Sequence, residues 1–473
     1  MTVRSRFVPG RVAVALTCSV IVLASGAAAA QTLEEALAQA YSSNPTLAAQ
    51  RAALRAADER VSQALSGYRP TVQATLSAEG TRINSTVRGQ PGNPSGSSQT
   101  PKSAGISVAQ PIYDATVTPS VRRSEKLVQA QRAQVVNIEQ AVLLNAATAY
   151  LDVVQNQAVL TLNINNEQVL RRQLEAARDR FRVGEYTRTD VSQSESRLAA
   201  SIANRISSEG VLQVSRAAYE RIVGTLPGNN LKAPKPTFKL PATLDEAVEM
   251  ARANNPAVLS ASFQEAAQRD AVDQQFGRLL PSARIAAEGT RTFDAGSVTI
   301  DRFTGRTASI TRQDSGSIQA QIVIPLYSAG QPEALVREAK ETANQLRIQI
   351  DDTRRQAAAS AITAWQALMT ARASIASFQS QIQAAQIALE GVRQEAQVGS
   401  RTVLDVLNQE QELLNARVNL VRAQHDEMVQ AFTVLNAVGQ LTAQQLRLPV
   451  QYYDMEKHYR ATRDRWTGTS VGD

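Results

Sequence analysis

Between Thr71 and Ala78 the chain alternates, with Val72, Ala74, Leu76 and Ala78 on one side and Thr71, Gln73, Thr75 and Ser77 on the other. A period of two predicts a strand with one apolar and one polar face. Ile318, Ala320, Ile322 and Ile324 alternate in the same way with Gln319, Gln321 and Val323, and a shorter run passes through Ile106, Val108 and Gln110. Away from these stretches the period lengthens. Leu144, Ala147, Leu151 and Val154 form one seam and Leu143, Ala146, Tyr150 and Val153 its neighbour, each spaced three then four. Two adjacent seams predict a helix with a partner on each side, running unbroken from about Pro119 to Arg182. At 1.5 Å per residue such a helix is about 95 Å long.

Glycine and proline punctuate these runs twice, in the same order. Val183-Gly184-Glu185-Tyr186-Thr187-Arg188-Thr189-Asp190-Val191 recurs 215 residues later as Val398-Gly399-Ser400-Arg401-Thr402-Val403-Leu404-Asp405-Val406. In each copy the glycine supplies the left-handed residue that ends a helix, and Thr-x-x-Asp opens the next. Both copies therefore predict tight turns between antiparallel helices. Asn44-Pro45 and Asn255-Pro256 break short helices that start at Thr32 and Thr243, and Gln110-Pro111-Ile112-Tyr113 is echoed by Ile324-Pro325-Leu326-Tyr327. Two structural repeats follow, 31–224 and 243–439, each with a strand hairpin (about 70–113 and 281–327) and a long helical hairpin. Within the second repeat the strands are expected from Pro281 to Phe293 and from Ile318 to Tyr327, and the long helix from about Pro332 to Gln397. Asn84 to Ser103 and Ala295 to Ser315 are expected to be polar loops at the far ends of the hairpins. Residues 225–242, which hold four prolines, link the repeats; 440–473 form the C-terminal tail, which from Leu448 is polar, without a period and expected to be largely mobile.

The N-terminus changes the setting. Arg4, Arg6 and Arg11 precede an apolar run from Val12 to Ala24 and a small-residue end, Ala28-Ala29-Ala30, which together make residues 1–30 a secretory signal peptide. Cys18, the single cysteine, lies inside it without the small residues that precede a lipidated cysteine, so the mature chain has no thiol or disulfide chemistry. Removing the three arginines lowers the formal charge from +7 to +4, and no basic block or stacking motif argues for nucleic acid. Low aromatic content suits long helices packed through small side chains.

Beyond the signal no stretch approaches the roughly 20 apolar residues of a membrane helix. A membrane protein of this chain is therefore a β-barrel. Four strands cannot close, open edges are not tolerated in hydrocarbon, and several chains must then share one barrel. Tyr113 and Tyr327, at matching strand ends, are expected at one membrane interface.

With its paired Asn-Pro starts, its Val-Gly-x-x-Thr-x-x-Asp-Val turns and its twofold repeat, the mature chain resembles the TolC family of bacterial outer-membrane efflux and secretion ducts. The resemblance implies a mostly helical fold with a membrane β-barrel: a homotrimer with one shared twelve-stranded barrel in outer-membrane lipid, continued through the periplasm by an α-helical tunnel. It implies two partners, a periplasmic adaptor (membrane fusion) protein and an inner-membrane transporter of the ABC or RND type, in efflux or type I secretion. Carried over by position, Val183, Gly184, Val398 and Gly399 are the adaptor-docking tip. Thr189, Asp190 and Arg401 match residues that latch neighbouring coils, Arg401 against Asp190, while Asp405 matches one facing the constriction. Where the family often has a latch tyrosine and a second acidic ring, this chain has Ala396 and Asn408.

Asp190 and Asp405 also have a plainer role, because each stands third after a threonine and completes a capping box. An enzyme reading finds no support: His425 and His458 are the only histidines, no phosphate loop or nucleophile elbow occurs, and no cofactor or metal is expected. His425-Asp426-Glu427 reads as a solvated helix face, and Trp365 and Phe378 as packing residues. The alternative from another class is a soluble periplasmic coiled-coil adaptor or scaffold. Against it, no tether survives signal cleavage, and strands interrupt the helices at mirrored places.

Overall fold

The computed structural model describes residues 32–85, 95–228, 231–234, 238–301 and 306–470. Residues 1–30, expected to be a signal peptide, lie outside them. Helix α1 (Leu33–Ser43) opens on a capping box in which Thr32 and Glu35 each accept the other's backbone N–H. Asn44 then caps α2 (Pro45–Leu65): its Oδ1 accepts from Thr46 N at 2.9 Å while its Nδ2 donates to the Ile222 carbonyl at 3.0 Å. One amide side chain thus satisfies the start of α2 and the end of a helix 178 residues away. The second repeat builds the same joint, with Asn255 Oδ1 on Ala257 N at 2.9 Å and Nδ2 on the Ala437 carbonyl at 3.1 Å. These joints explain why Asn-Pro recurs: proline at the first helical position needs no acceptor, and asparagine reaches both helix ends.

Strand β1 (Thr71–Ala78) pairs with β4 (Lys102–Asp114), and β5 (Ser282–Asp301) and β6 (Arg306–Val323) complete an antiparallel sheet in the order β1-β4-β5-β6. The register keeps the faces apart. Ala74, Ile106 and Gly289 stand side by side, as do Val108, Ala287 and Ile318, whereas Gln73, Ser107, Glu288 and Ser317 line the other face. Among the described residues nothing covers the apolar face: Leu76 and Ile318 are each 84% exposed. β1 and β6 are the two unpaired edges.

Both polar segments expected to be loops carry strands instead. A short hairpin of β2 (Thr81–Ser85) and β3 (Ser95–Gln99) enters the first from both sides, and residues 86–94 lie outside the described residues. In the second, β5 and β6 extend to Asp301 and back from Arg306. Lost alternation misled the reading there, because Asp294 (φ 54°) and Gly296 (φ 117°) form a bulge that shifts the register between Phe293 and Gly296 while pairing resumes beyond it. The other end is corrected too: β6 stops at Val323, short of Tyr327, since Pro325 has no N–H to donate to the ladder. Pro111 is instead absorbed within β4 at a register shift, so Tyr113 sits in the strand and Tyr327 outside it.

The long helices are α3 (Val117–Arg182, 66 residues) and α7 (Gln331–Gln397, 67 residues), each about 100 Å long. They return through α4 (Arg188–Val223) and α8 (Val403–Ala437). α5 (Leu244–Asn254) and α6 (Pro256–Gly277) repeat α1 and α2. Both α3 seams are used: Leu143, Ala146, Ala147, Tyr150, Leu151 and Val153 are buried in one cluster with Leu47, Leu54, Tyr219 and Phe432. The linker is tied to this core by Phe238, stacked on Phe432 at 4.8 Å, and by the Lys232 carbonyl, which accepts from the Tyr150 hydroxyl at 2.9 Å.

From Leu448 to Ser470 the tail packs against the helices, contrary to expectation. Leu441, Ala443 and Leu448 are buried in the same cluster, and α9 (Lys457–Thr462) lies along α2. Polar contacts fix it where periodicity gives no signal: His458 Nδ1 lies 3.2 Å from Asp58 Oδ2, and the Arg465 carbonyl accepts from Arg69 Nη1 at 2.8 Å.

Candidate gate and docking tip

The tip is made by the two glycine turns. Gly184 (φ 83°) and Gly399 (φ 80°) take the left-handed conformation, and no atom lies within 4 Å of where a Cβ would stand. Beside them Val183 and Val398 are 71% and 81% exposed, so each hairpin presents an apolar residue at its end. The ends are adjacent. Leu170, Val403 and Leu407 form a buried cluster with Tyr186 and Leu198, which locks the first hairpin onto the start of α8.

Both capping boxes form. The Thr187 N–H donates to Asp190 Oδ2 at 2.9 Å, and the Thr402 N–H to Asp405 Oδ2 at 3.0 Å. Hydrogen bonds from Thr402, first through its backbone and then its hydroxyl, hold the Asp405 carboxyl below the usual carboxylate range, so it stays ionised. Arg401 Nε donates to Glu395 Oε2 at 2.9 Å, on its own hairpin, and within one chain it does not meet Asp190. Thr189 is exposed on the first turn of α4. Asn408 Oδ1 accepts from Arg197 Nη2 at 2.6 Å, a bond between α4 and α8 that ties the hairpins together two turns inside the tip. No local spacing singles out Arg197, whose partner is 211 residues away.

Farther along, His425 departs from the solvated face expected of it. Its Nε2 lies 2.9 Å from Asp152 Oδ1 on α3 and its Nδ1 2.9 Å from Asp426 Oδ1. Burial disfavours the charged ring, but the two carboxylates outweigh it and raise the pKa above the ordinary histidine value of 6.5. The stabilisation is therefore fully present below 6.5 and is lost as pH rises through the higher folded value. Thermal unfolding of the purified protein is expected to show a midpoint that falls as the pH rises above 6.5, and His425→Asn to flatten that fall. An unchanged slope in the variant would remove this clasp from the account.

Among the described residues no helix is long and apolar enough to cross a membrane, and no cluster of histidine, cysteine and carboxylates suits a metal ion. What the geometry does define is a channel subunit: an uncovered two-faced sheet with free edges, continued by helical hairpins about 100 Å long. The family model described as outer membrane efflux protein matches residues 36–225 and 247–440, which are the two repeats. The chain is 35% identical to the outer membrane efflux protein BepC of Brucella suis biovar 1 (strain 1330), over 98% of this chain and 97% of that one. It is 25% identical to the outer membrane protein TolC of Escherichia coli (strain K12), over 88% and 84% of the two chains. The crystal structure of the Campylobacter jejuni CmeC outer membrane channel superposes with a TM-score of 0.73 at 16% identity, over 92% of this chain and 90% of that one. The chain belongs to the outer membrane efflux protein family.

Proposed function

We propose that three copies of this chain form an outer-membrane exit duct for small-molecule efflux, type I protein secretion, or both, and that the chain has no catalytic role. The observation that carries this is the sheet. Its apolar face is uncovered, β1 and β6 are its free edges, and pairing β6 of one copy with β1 of the next closes twelve strands around a threefold axis. The helical hairpins then continue that axis as a tunnel into the periplasm. A soluble adaptor or scaffold would not leave Leu76 and Ile318 bare.

The finer assignments rest on the tip. Val183, Gly184, Val398 and Gly399 are proposed as the surface that meets a periplasmic adaptor coupled to an inner-membrane transporter of the ABC or RND type. Asp405 is proposed to face the constriction, with Thr189, Asp190, Arg401 and Asn408 around it as the gate. Their support is their shared position at the ends of adjacent hairpins.

In mild detergent the mature protein, beginning near Gln31, is expected to have the mass of a trimer and to conduct ions in a planar bilayer; an ordered, non-conducting monomer would sink the proposal. An epitope inserted near Gly92 or Gly305, positions outside the described residues, is expected to label on intact cells. Labelling only after the outer membrane is disrupted would reverse the topology.

A further inference from the structure

Where the tail lies on α2, a cavity of about 650 Å³ opens between the two elements. Arg51 and Arg55, one turn apart on α2, face Lys457 and Arg465 of the tail across it, with Tyr452 and Tyr453 on its wall. The charge is one-sided. Among the described residues none of these four cations has a carboxylate within ion-pair distance, and Asp454 is the one acid on the lining. Asp454 is itself occupied in part by the Glu456 N–H, at 2.8 Å.

Each cation is held or left free in a telling way. The Arg51 guanidinium lies 4.5 Å from the ring centre of Tyr41 and 5.1 Å from that of Tyr453, and its Nε and Nη2 are buried without a hydrogen-bond acceptor. Buried donors left unmade are costly, so a site that keeps them is set up for an acceptor from elsewhere. The Arg465 guanidinium is fixed by the Thr467 and Ser470 carbonyls at 3.1 and 2.6 Å, contacts that leave its charge unneutralised. Among the described residues the side chains of Arg55 and Lys457 have no hydrogen bond or ion pair. Of the facing acids, Asp58 and Glu59 on α2 sit against His458, at 3.2 and 3.8 Å, and the buried Glu139, whose charge Arg51 feels, is outside ion-pair distance of it and accepts from the Ala443 N–H at 2.8 Å.

We propose that this cavity is a binding site for a compact phosphate-class dianion or polyanion, which bridges Arg51 and Arg55 on α2 to Lys457 on the tail. Several forked donors around a small volume favour phosphate oxygens over a single carboxylate. The volume falls in the range of small-molecule sites, about 300 to 1,000 Å³. A soluble source suits the Arg51–Arg55 end, because Arg55 precedes Arg69, at the foot of the barrel, by 14 residues, or about 20 Å of helix; the opposite end, at Arg465, touches Arg69, so the test includes a lipid arm. The site lies apart from the duct and tip residues, so it stands or falls independently of the proposed function.

The test is titration calorimetry of the full trimer in mild detergent, with sodium pyrophosphate and then inorganic phosphate at constant ionic strength. Saturable binding near one ion per chain is expected. Arg55→Gln/Lys457→Gln, which removes two side chains without internal partners, is expected to weaken it about tenfold or more while trimer mass and melting stay unchanged. Bound pyrophosphate is also expected to slow proteolytic loss of a C-terminal epitope in the native protein and not in the variant. Absence of saturable binding, equal binding by the variant, or binding seen only in nanodiscs carrying phosphatidylglycerol would each overturn the assignment.

Discussion

Gly439→Ala is expected to abolish assembly of the trimer in the outer membrane, whereas Gly184→Ala and Gly399→Ala leave assembly near normal. All three glycines are left-handed, with φ of 78°, 83° and 80° respectively. Alanine in that conformation costs about 1–2 kcal/mol at each of them. The difference lies in what surrounds the new methyl. At the tip nothing lies within 4 Å, but at position 439 a Cβ is driven into the Asn254 carbonyl oxygen, with the carbonyl carbon at 2.9 Å and Asn255 Cα at 3.3 Å. These are backbone atoms of the joint in which Asn255 caps α6 and holds the Ala437 carbonyl. Moving them separates the two helix ends, so an overpacking cost of about 1–3 kcal/mol adds to the backbone cost. Gly224 at the other joint is the intermediate case, because its Cβ would meet the Ser43 hydroxyl at 3.2 Å, a side chain that can rotate. Trimer yield in the outer-membrane fraction and its melting temperature in detergent are the measurements. Normal trimer yield from Gly439→Ala would mean that the joint yields easily and that the repeat's identical spacing has another cause.

The repeat was legible because it is written in backbone-determining residues. Asn-Pro, Val-Gly and Thr-x-x-Asp specify caps and left-handed turns whatever surrounds them, and each appears where it was expected. The two faces of the sheet were legible for a similar reason: a period of two survives in Val72, Ala74 and Leu76 and in Ile318, Ala320 and Ile322 without knowledge of the partner strand. Strand ends were not. Beyond Phe293 a bulge breaks the alternation while backbone pairing continues, and backbone pairing leaves little mark on side-chain identity.

The tail failed as a reading for a different reason. It is held by Leu441, Ala443 and Leu448 in the core and by single polar contacts such as His458 to Asp58, 400 residues apart. Contacts of that range have no period to detect. The candidate site divides along the same line: the capping role of Asp190 and Asp405 could be read because capping is local, their place at a gate came only from the family resemblance, and Arg197 and the Asp152–His425 pair depend on which helices lie side by side.

Asp405→Asn is expected to remove most inhibition of the duct by multivalent cations while leaving its stability nearly unchanged. Asp405 has two possible duties, and the substitution separates them. As a cap it accepts from the Thr402 N–H at 3.0 Å and from the Thr402 hydroxyl at 2.8 Å, and the Asn side-chain oxygen can accept the same bonds. As a ring it supplies one negative charge per chain, which Asn does not. Within one chain those capping bonds hold the carboxyl below the usual carboxylate range, which opposes the mutual repulsion that three converging copies would feel. Asn408, one turn farther on, adds no charge and is engaged by Arg197, whose cation lies close to the ring. Cation block should accordingly rest on Asp405 alone, and Arg197→Gln should deepen it by removing the opposing charge. Arg401 contributes differently. Its pair with Glu395 is exposed and screened by solvent, so Arg401→Ala should raise conductance only if the same guanidinium also latches a neighbouring copy. Single-channel recordings in planar bilayers with a trivalent cation titrated from the periplasmic side give the block, and melting of the detergent trimer gives the stability. If Asp405→Asn keeps wild-type block, or if it lowers the melting point as much as Asp405→Ala does, the carboxylate is a helix cap and the constriction lies elsewhere along the hairpins.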